Sequence, residues 1–242
     1  MNINSPFHQG HKYEPLSIMM YEYLYNTKIG EFGCIRHDNI PFLGASPDGI
    51  NIDEKNKRYG RLLEIKNPVS DRLLNGIPKK DYWIQMQIQM EVWCLDECDF
   101  LETRFKTYET EEEFDKDGTF IKTKEGKYKG IILQFYDGDE PIYKYPPFQI
   151  SKEEFDVWSE YCIDKHSNLT WIGYTYWYLD NYSCALVLRN KEWFKEVKPI
   201  LENIWETIVK ERVSGYDHRK PKKRQPKEKI KKPVQIIKID TI

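Results

Sequence analysis

Hydrophobic side chains recur at helical spacing in four stretches of the chain and alternate at strand spacing between them. From Gly10 to Tyr25, Leu16, Met19, Met20, Tyr23 and Leu24 fall three and four apart, which predicts a first helix with Pro15 tolerable only near its first turn. From Phe32 to Ile52 short β-like runs alternate with Asn39, Pro41, Pro47 and Gly49, the pattern of a meander. Residues 61–66, Arg-Leu-Leu-Glu-Ile-Lys, read as a further strand. From Lys79 to Asp96, Ile84, Ile88, Val92 and Leu95 share one helical face, while Trp83, Met86, Met90 and Trp93 cover a second, so this helix should be largely buried.

The second half is read in the same way. Strands are expected from Phe100 to Thr107, over 130–136 and from Tyr182 to Leu188. Residues 108–128 are charged and Gly-punctuated, an expected exposed insertion. Ser151 with Glu154 three residues on forms a capping box for a helix to about His166. A last helix over Asn190–Arg212 repeats Trp193, Val197, Ile200, Leu201, Ile204 and Ile208, and Pro199 should kink or divide it. The aromatics Trp171, Tyr174, Tyr176, Trp177 and Tyr178 are dense enough for base stacking, although core packing explains them equally.

Composition and charge narrow the function classes. The length suits one catalytic domain, residues 1–215, followed by a basic tail, 216–242. No apolar run approaches the roughly 20 residues that span a bilayer, and the start lacks a signal-peptide pattern, so a soluble intracellular protein without membrane contact is expected, in host cytoplasm or nucleus if viral. Five cysteines without a secretory signal predict reduced thiols. Cys94 and Cys98 have no second pair at zinc spacing. Residues 218–242 hold ten Lys or Arg against two acids, and residues 1–217 hold 27 basic against 37 acidic side chains. An acidic body is no generic nucleic-acid binder; it would need cations in its site, local basic patches, or the tail, which is otherwise a solvated end or a nuclear-import signal.

The candidate chemistry lies in Ser46-Pro47-Asp48-Gly49 and, fifteen residues on, Glu64-Ile65-Lys66. Positions i and i+2 of a strand share a face, so Glu64 and Lys66 project together. Asp48, at the end of a preceding hairpin strand, would complete a two-carboxylate oxygen cage suited to Mg²⁺. A hard cation polarises a phosphodiester and acidifies a bound water, and a neighbouring ammonium stabilises developing charge. The same pattern on an edge strand would be an exposed ion pair. Gln85, Gln87 and Gln89 alternate along the apolar helix; they either orient a group at this site or mark its solvent rim.

The order Gly10-x-x-x-Glu14, Ser46-Pro47-Asp48-Gly49, Glu64-Ile65-Lys66, Arg72, Tyr82-x-x-Gln85-x-Gln87 resembles the family of the YqaJ-like viral recombinases and the phage lambda exonuclease, of the PD-(D/E)xK nucleases. The resemblance covers residues 9–107 and resumes over Tyr182–Ile208; residues 108–181 are unmatched. It implies an α/β, restriction-endonuclease-like core, a mixed β-sheet flanked by helices. It implies that Asp48, Glu64 and the carbonyl of Ile65 ligate Mg²⁺ or Mn²⁺, that Lys66 is the catalytic lysine, that Glu14 assists, and that Gln85 holds the nucleophilic water. Ser46 and Arg72 match positions that bind a 5′ phosphate, although an arginine there is also an ordinary surface residue. The implied activity is exonucleolytic digestion of duplex DNA ends in recombination or repair, with a single-strand annealing protein and a homotrimer as implied partners. A structure-specific or nicking endonuclease and a non-catalytic DNA-binding partner are the alternatives. Only nine residues precede Gly10, where family members carry a segment that helps to grip the DNA end. A shortened form, a fragment or a different grip would each account for this, so 5′-end dependence and processivity stay open.

Overall fold

The computed structural model describes residues 5–221. The chain divides into two compact units, Met1–Val197 and Lys198–Ile242. In the first, α1 (Pro6–Tyr25) begins four residues before Gly10. Ser5 caps it by accepting the His8 N–H at 3.2 Å, and Pro6 occupies the first turn, where a missing N–H costs nothing. Pro15 therefore lies inside the helix, contrary to the expectation that it sits near the start.

Strands β1 (Ile29–Gly30), β2 (Ile35–His37), β3 (Ile40–Ala45), β4 (Gly49–Asn51) and β5 (Leu62–Lys66) follow, then α2 (Lys80–Trp93) and β6 (Glu97–Thr107). The chain continues through α3 (Glu111–Lys116), β7 (Lys129–Asp137), β8 (Glu140–Lys144), α4 (Lys152–Lys165), β9 (Thr170–Leu188) and α5 (Lys191–Ser214). Seven strands form one sheet in the order β1-β4-β5-β6-β9-β7-β8, and β2 and β3 form a separate hairpin. Only β5 and β6 are parallel, joined through α2 as a parallel pair requires. The expected mixed α/β sheet flanked by helices is what the chain forms.

Alternation along β5 divides its side chains between two cores. Leu63 and Ile65 pack with Tyr13, Leu16 and Met20 of α1, while Leu62 packs with Met86 and Met90 of α2. Glu64 and Lys66 share the face of Leu62. A buried carboxylate, Asp99 of β6, fastens these layers: it accepts from the Tyr21 hydroxyl at 2.5 Å and from Arg61 at 3.0 Å, and pairs with Arg58.

Three expectations need correction. Residues 108–128 are not simply exposed, because α3 inserts Phe114, 1% exposed, into a third core with Phe135 of β7 and Phe155 of α4. The strand expected to start at Tyr182 starts at Thr170, so the aromatic cluster belongs to β9; Trp177 is in the core, as the packing explanation requires. Pro199 does not divide α5. The capping box of α4 forms as read, with Ser151 and Glu154 each accepting the other's backbone N–H. All five cysteines are free, and Cys94 ends α2 in a left-handed conformation, φ 52°. Most of the basic tail, 222–242, lies outside the described residues.

Candidate active site

Asp48 sits where β4 begins, and two contacts hold it against β5: its N–H donates to the Leu63 carbonyl at 3.2 Å, and its Oδ2 accepts the Ile65 N–H at 2.6 Å. Gly49 makes this approach possible, because a Cβ there would stand 2.3 Å from Cγ2 of Ile29 on neighbouring β1. Strand alternation directs the Ile65 carbonyl to the same edge as its N–H, past the end of β4. Glu64 is fully buried; it accepts from Lys66 Nζ through Oε1 and from Gln89 Nε2 at 2.8 Å through Oε2. Asp48, Glu64 and Lys66 are thus brought together as read.

The electrostatics of the group are unbalanced. Burial, and then the neighbouring Glu64 carboxylate, push Asp48 up to about 7, despite the hydrogen bond from Ile65 and the charge of Lys66. Burial works against the Lys66 ammonium, but Glu64 and Asp48 outweigh it and hold the lysine above its ordinary value. Glu14 is also raised, chiefly by burial. It lines, with Asp48, Lys66, Arg72, Lys79 and Tyr82, an open cleft of about 700 Å³.

The other expected residues separate. Gln85 is exposed and makes no hydrogen bond among the described residues. Gln89, one turn further along α2, takes the place expected of it, bonding Glu64 and the Ser46 carbonyl (3.2 Å). Gln87 instead ties α2 to the end of β9 through Leu188 and Asn190. Helical spacing already contained this distinction, since Gln89 lies three past Met86 and four before Trp93 on the buried face. Ser46 is exposed, and its hydroxyl turns to the Phe32 carbonyl at 3.4 Å. Arg72 does reach the cleft, held by Glu102, a fully buried acid that pairs in register with Lys66 and that no sequence pattern singled out.

The donor set fits a hard divalent cation. All its groups are oxygens, and two close carboxylates, one of them raised to about 7, carry a repulsion that a cation would relieve. Among the described residues no three His, Cys, Asp or Glu side chains gather closely enough to hold a metal by themselves, which leaves positions for the Ile65 carbonyl and water. Gln89 Oε1 is a buried acceptor without a partner at the same place.

A mixed sheet with an aspartate at one strand end and Glu-x-Lys on the next strand is the arrangement of the PD-(D/E)xK class. Within it, the chain carries a YqaJ-like viral recombinase domain, whose family model matches residues 2–103. An uncharacterized protein of Acanthamoeba polyphaga mimivirus is 33% identical over 240 residues, which cover 85% of this chain and 44% of that protein. The chain thus spans less than half the length of that relative. The alkaline exonuclease of Laribacter hongkongensis is 20% identical with a TM-score of 0.49, over 87% of this chain and 72% of its own. Its complex with dAMP gives a TM-score of 0.44 over 87% and 74%, at the same identity. Among the described residues no helix is long and apolar enough to cross a membrane.

Proposed function

We propose that this chain is a divalent-metal-dependent nuclease that hydrolyses DNA phosphodiesters, acting as an exonuclease on duplex ends in viral-type recombination. The observation that carries this reading is the buried Asp48 and Glu64 pair beside Lys66, at the wall of a cleft that also presents Arg72 and Lys79. Mg²⁺ or Mn²⁺ held by Asp48, Glu64 and the Ile65 carbonyl would supply positive charge at the scissile phosphate and lower the pKa of a bound water. Lys66 places an ammonium where negative charge develops on the phosphate oxygens. Gln89 fixes the orientation of Glu64, and Glu14, with its raised pKa, is suited to accept a proton near neutral pH. Arg72 presents a guanidinium fork to the end phosphate.

The test compares linear duplexes bearing 5′-phosphate or 5′-hydroxyl ends with a closed circle, in Mg²⁺ and in EDTA. Loss of linear DNA only, in Mg²⁺ only and faster with the phosphate, is expected. A cut circle would move the assignment to an endonuclease, and no cutting of either substrate would remove the hydrolase reading. Within the same assay, Gln89→Ala should lower kcat by about 10- to 100-fold, as loss of a ligand-orienting contact does, while Gln85→Ala stays within about twofold of wild type. Equal effects of the two substitutions would return the glutamine role to Gln85 or to neither.

A further inference from the structure

Lys12 is a buried cation that the site above does not use. It is 8% exposed, and its one hydrogen bond goes to the Thr175 hydroxyl of β9 at 3.0 Å. The groups packed against it are neutral or basic: His8 and Tyr13 on α1, with the Tyr13 ring centroid 5.6 Å from Nζ, Tyr143 on β8 with its ring at 5.2 Å, and Thr175. No acid lies within ion-pair distance of it among the described residues, whereas buried Arg58, Arg61 and Arg104 each have one, and Lys129 has the carbonyls of Phe114 and Asp117. An ammonium has three donors, so two of them lack a partner. Burial lowers Lys12 to about 8, and it remains largely protonated at neutral pH.

Its surroundings connect it to the catalytic cleft. Lys12 lines a groove of about 550 Å³ that shares Asn67, Pro68 and Val69 with that cleft. Residue 67 directly follows Lys66, and on α1 Glu14 faces the cleft while Lys12 and Tyr13 face the groove. Glu109 and Glu111 lie on the same groove, which confines an anion to the part nearest Lys12. We propose that Lys12 and Thr175 seat a backbone phosphate of the DNA strand as it continues from the cleavage position into this groove. The proposal rests on the nuclease reading and adds to it the path of the strand. A polyanion with one phosphate at Lys66 must place its neighbours somewhere, and this uncompensated buried cation lies in the adjoining groove.

The experiment measures anisotropy of a labelled twelve-residue oligothymidylate on the full chain, with Ca²⁺ replacing Mg²⁺, across 50–200 mM NaCl, for wild type, Lys12→Met and Lys12→Arg. Lys12→Met should weaken binding about tenfold and reduce the log–log salt slope by about 0.7, the loss of one phosphate contact on a single strand, and Lys12→Arg should restore both. Methionine fills the same buried space, so loss of packing is not at issue. An unchanged affinity and slope in Lys12→Met overturns the seat, and so does an arginine variant that behaves like methionine. Inorganic phosphate that binds wild type but not Lys12→Met, while the oligonucleotide binds both equally, would make this a free-anion site and also overturn the strand path. If the wild type cleaves DNA and Lys12→Met binds normally, only the seat fails. If binding depends on Lys12 but Mg²⁺ gives no cleavage, the nuclease reading fails and the seat stands.

Discussion

Lys66→Ala is expected to reduce DNA hydrolysis about a thousandfold or more and, without metal, to lower stability by about 3–5 kcal/mol. Both effects come from the same geometry. Glu64 has no contact with solvent, and its partners are the Lys66 ammonium and the Gln89 amide. Removing the lysine leaves a buried carboxylate with a neutral donor and a second acid, Asp48, beside it. Catalysis loses the cation that meets developing charge on the phosphate, and the fold loses the cation that offsets two carboxylates. Metal should therefore rescue stability without rescuing activity. Thermal unfolding with and without Mg²⁺, beside a nuclease assay, checks this: the variant's Tm should rise with metal by more than the wild type's. A variant that retains its rate would remove Lys66 from the chemistry, and one that loses neither stability nor metal response would show that Glu64 is neutral in the fold.

How far such a site can be read from the chain depends on whether its residues are set by local period or by strand pairing. Glu64 and Lys66 were legible because period two puts them on one face, and Asp48 because Pro47 and Gly49 mark the turn that ends beside it. The choice of glutamine was carried by the helical period, which places Gln89 between Met86 and Trp93, whereas the motif order pointed to Gln85. Glu102 was not legible. It stands opposite Lys66 only because β5 and β6 pair in parallel at that register, a non-local choice that no spacing within either strand encodes. The same holds for β9, whose first twelve residues are so aromatic and polar that local pattern does not mark them as a strand; its pairing with β6 on one side and β7 on the other does. The start of α1 was misplaced because Gly10 and Pro15 read as punctuation, while the stronger signal, a capping Ser5 followed by Pro6, lay upstream.

Asp48→Asn should make the metal-free protein more stable at pH 8 while abolishing its nuclease activity. The carboxyl of Asp48 is held at about 7 in the fold against an ordinary 3.8, so the folded state disfavours its ionised form. The cost is absent below about pH 4, grows by about 1.4 kcal/mol per pH unit between the two values, and is complete above pH 7. Asparagine keeps an oxygen to accept the Ile65 N–H, now 2.6 Å from the carboxylate, and carries no charge to repel Glu64. The gain at pH 8 should be on the order of 2–4 kcal/mol, or roughly 5–15 °C in Tm, and should shrink toward zero by pH 4. Mg²⁺ should raise the wild-type Tm at pH 8 far more than at pH 5, where a proton competes for the same oxygens, and should leave the variant almost unmoved. Tm measured at pH 4, 5, 6, 7 and 8 with and without Mg²⁺ decides the matter. A variant less stable than wild type at pH 8, or an advantage independent of pH, would mean that Asp48 is compensated within the protein, and the argument that this pair of acids is arranged for a cation would lose its electrostatic basis.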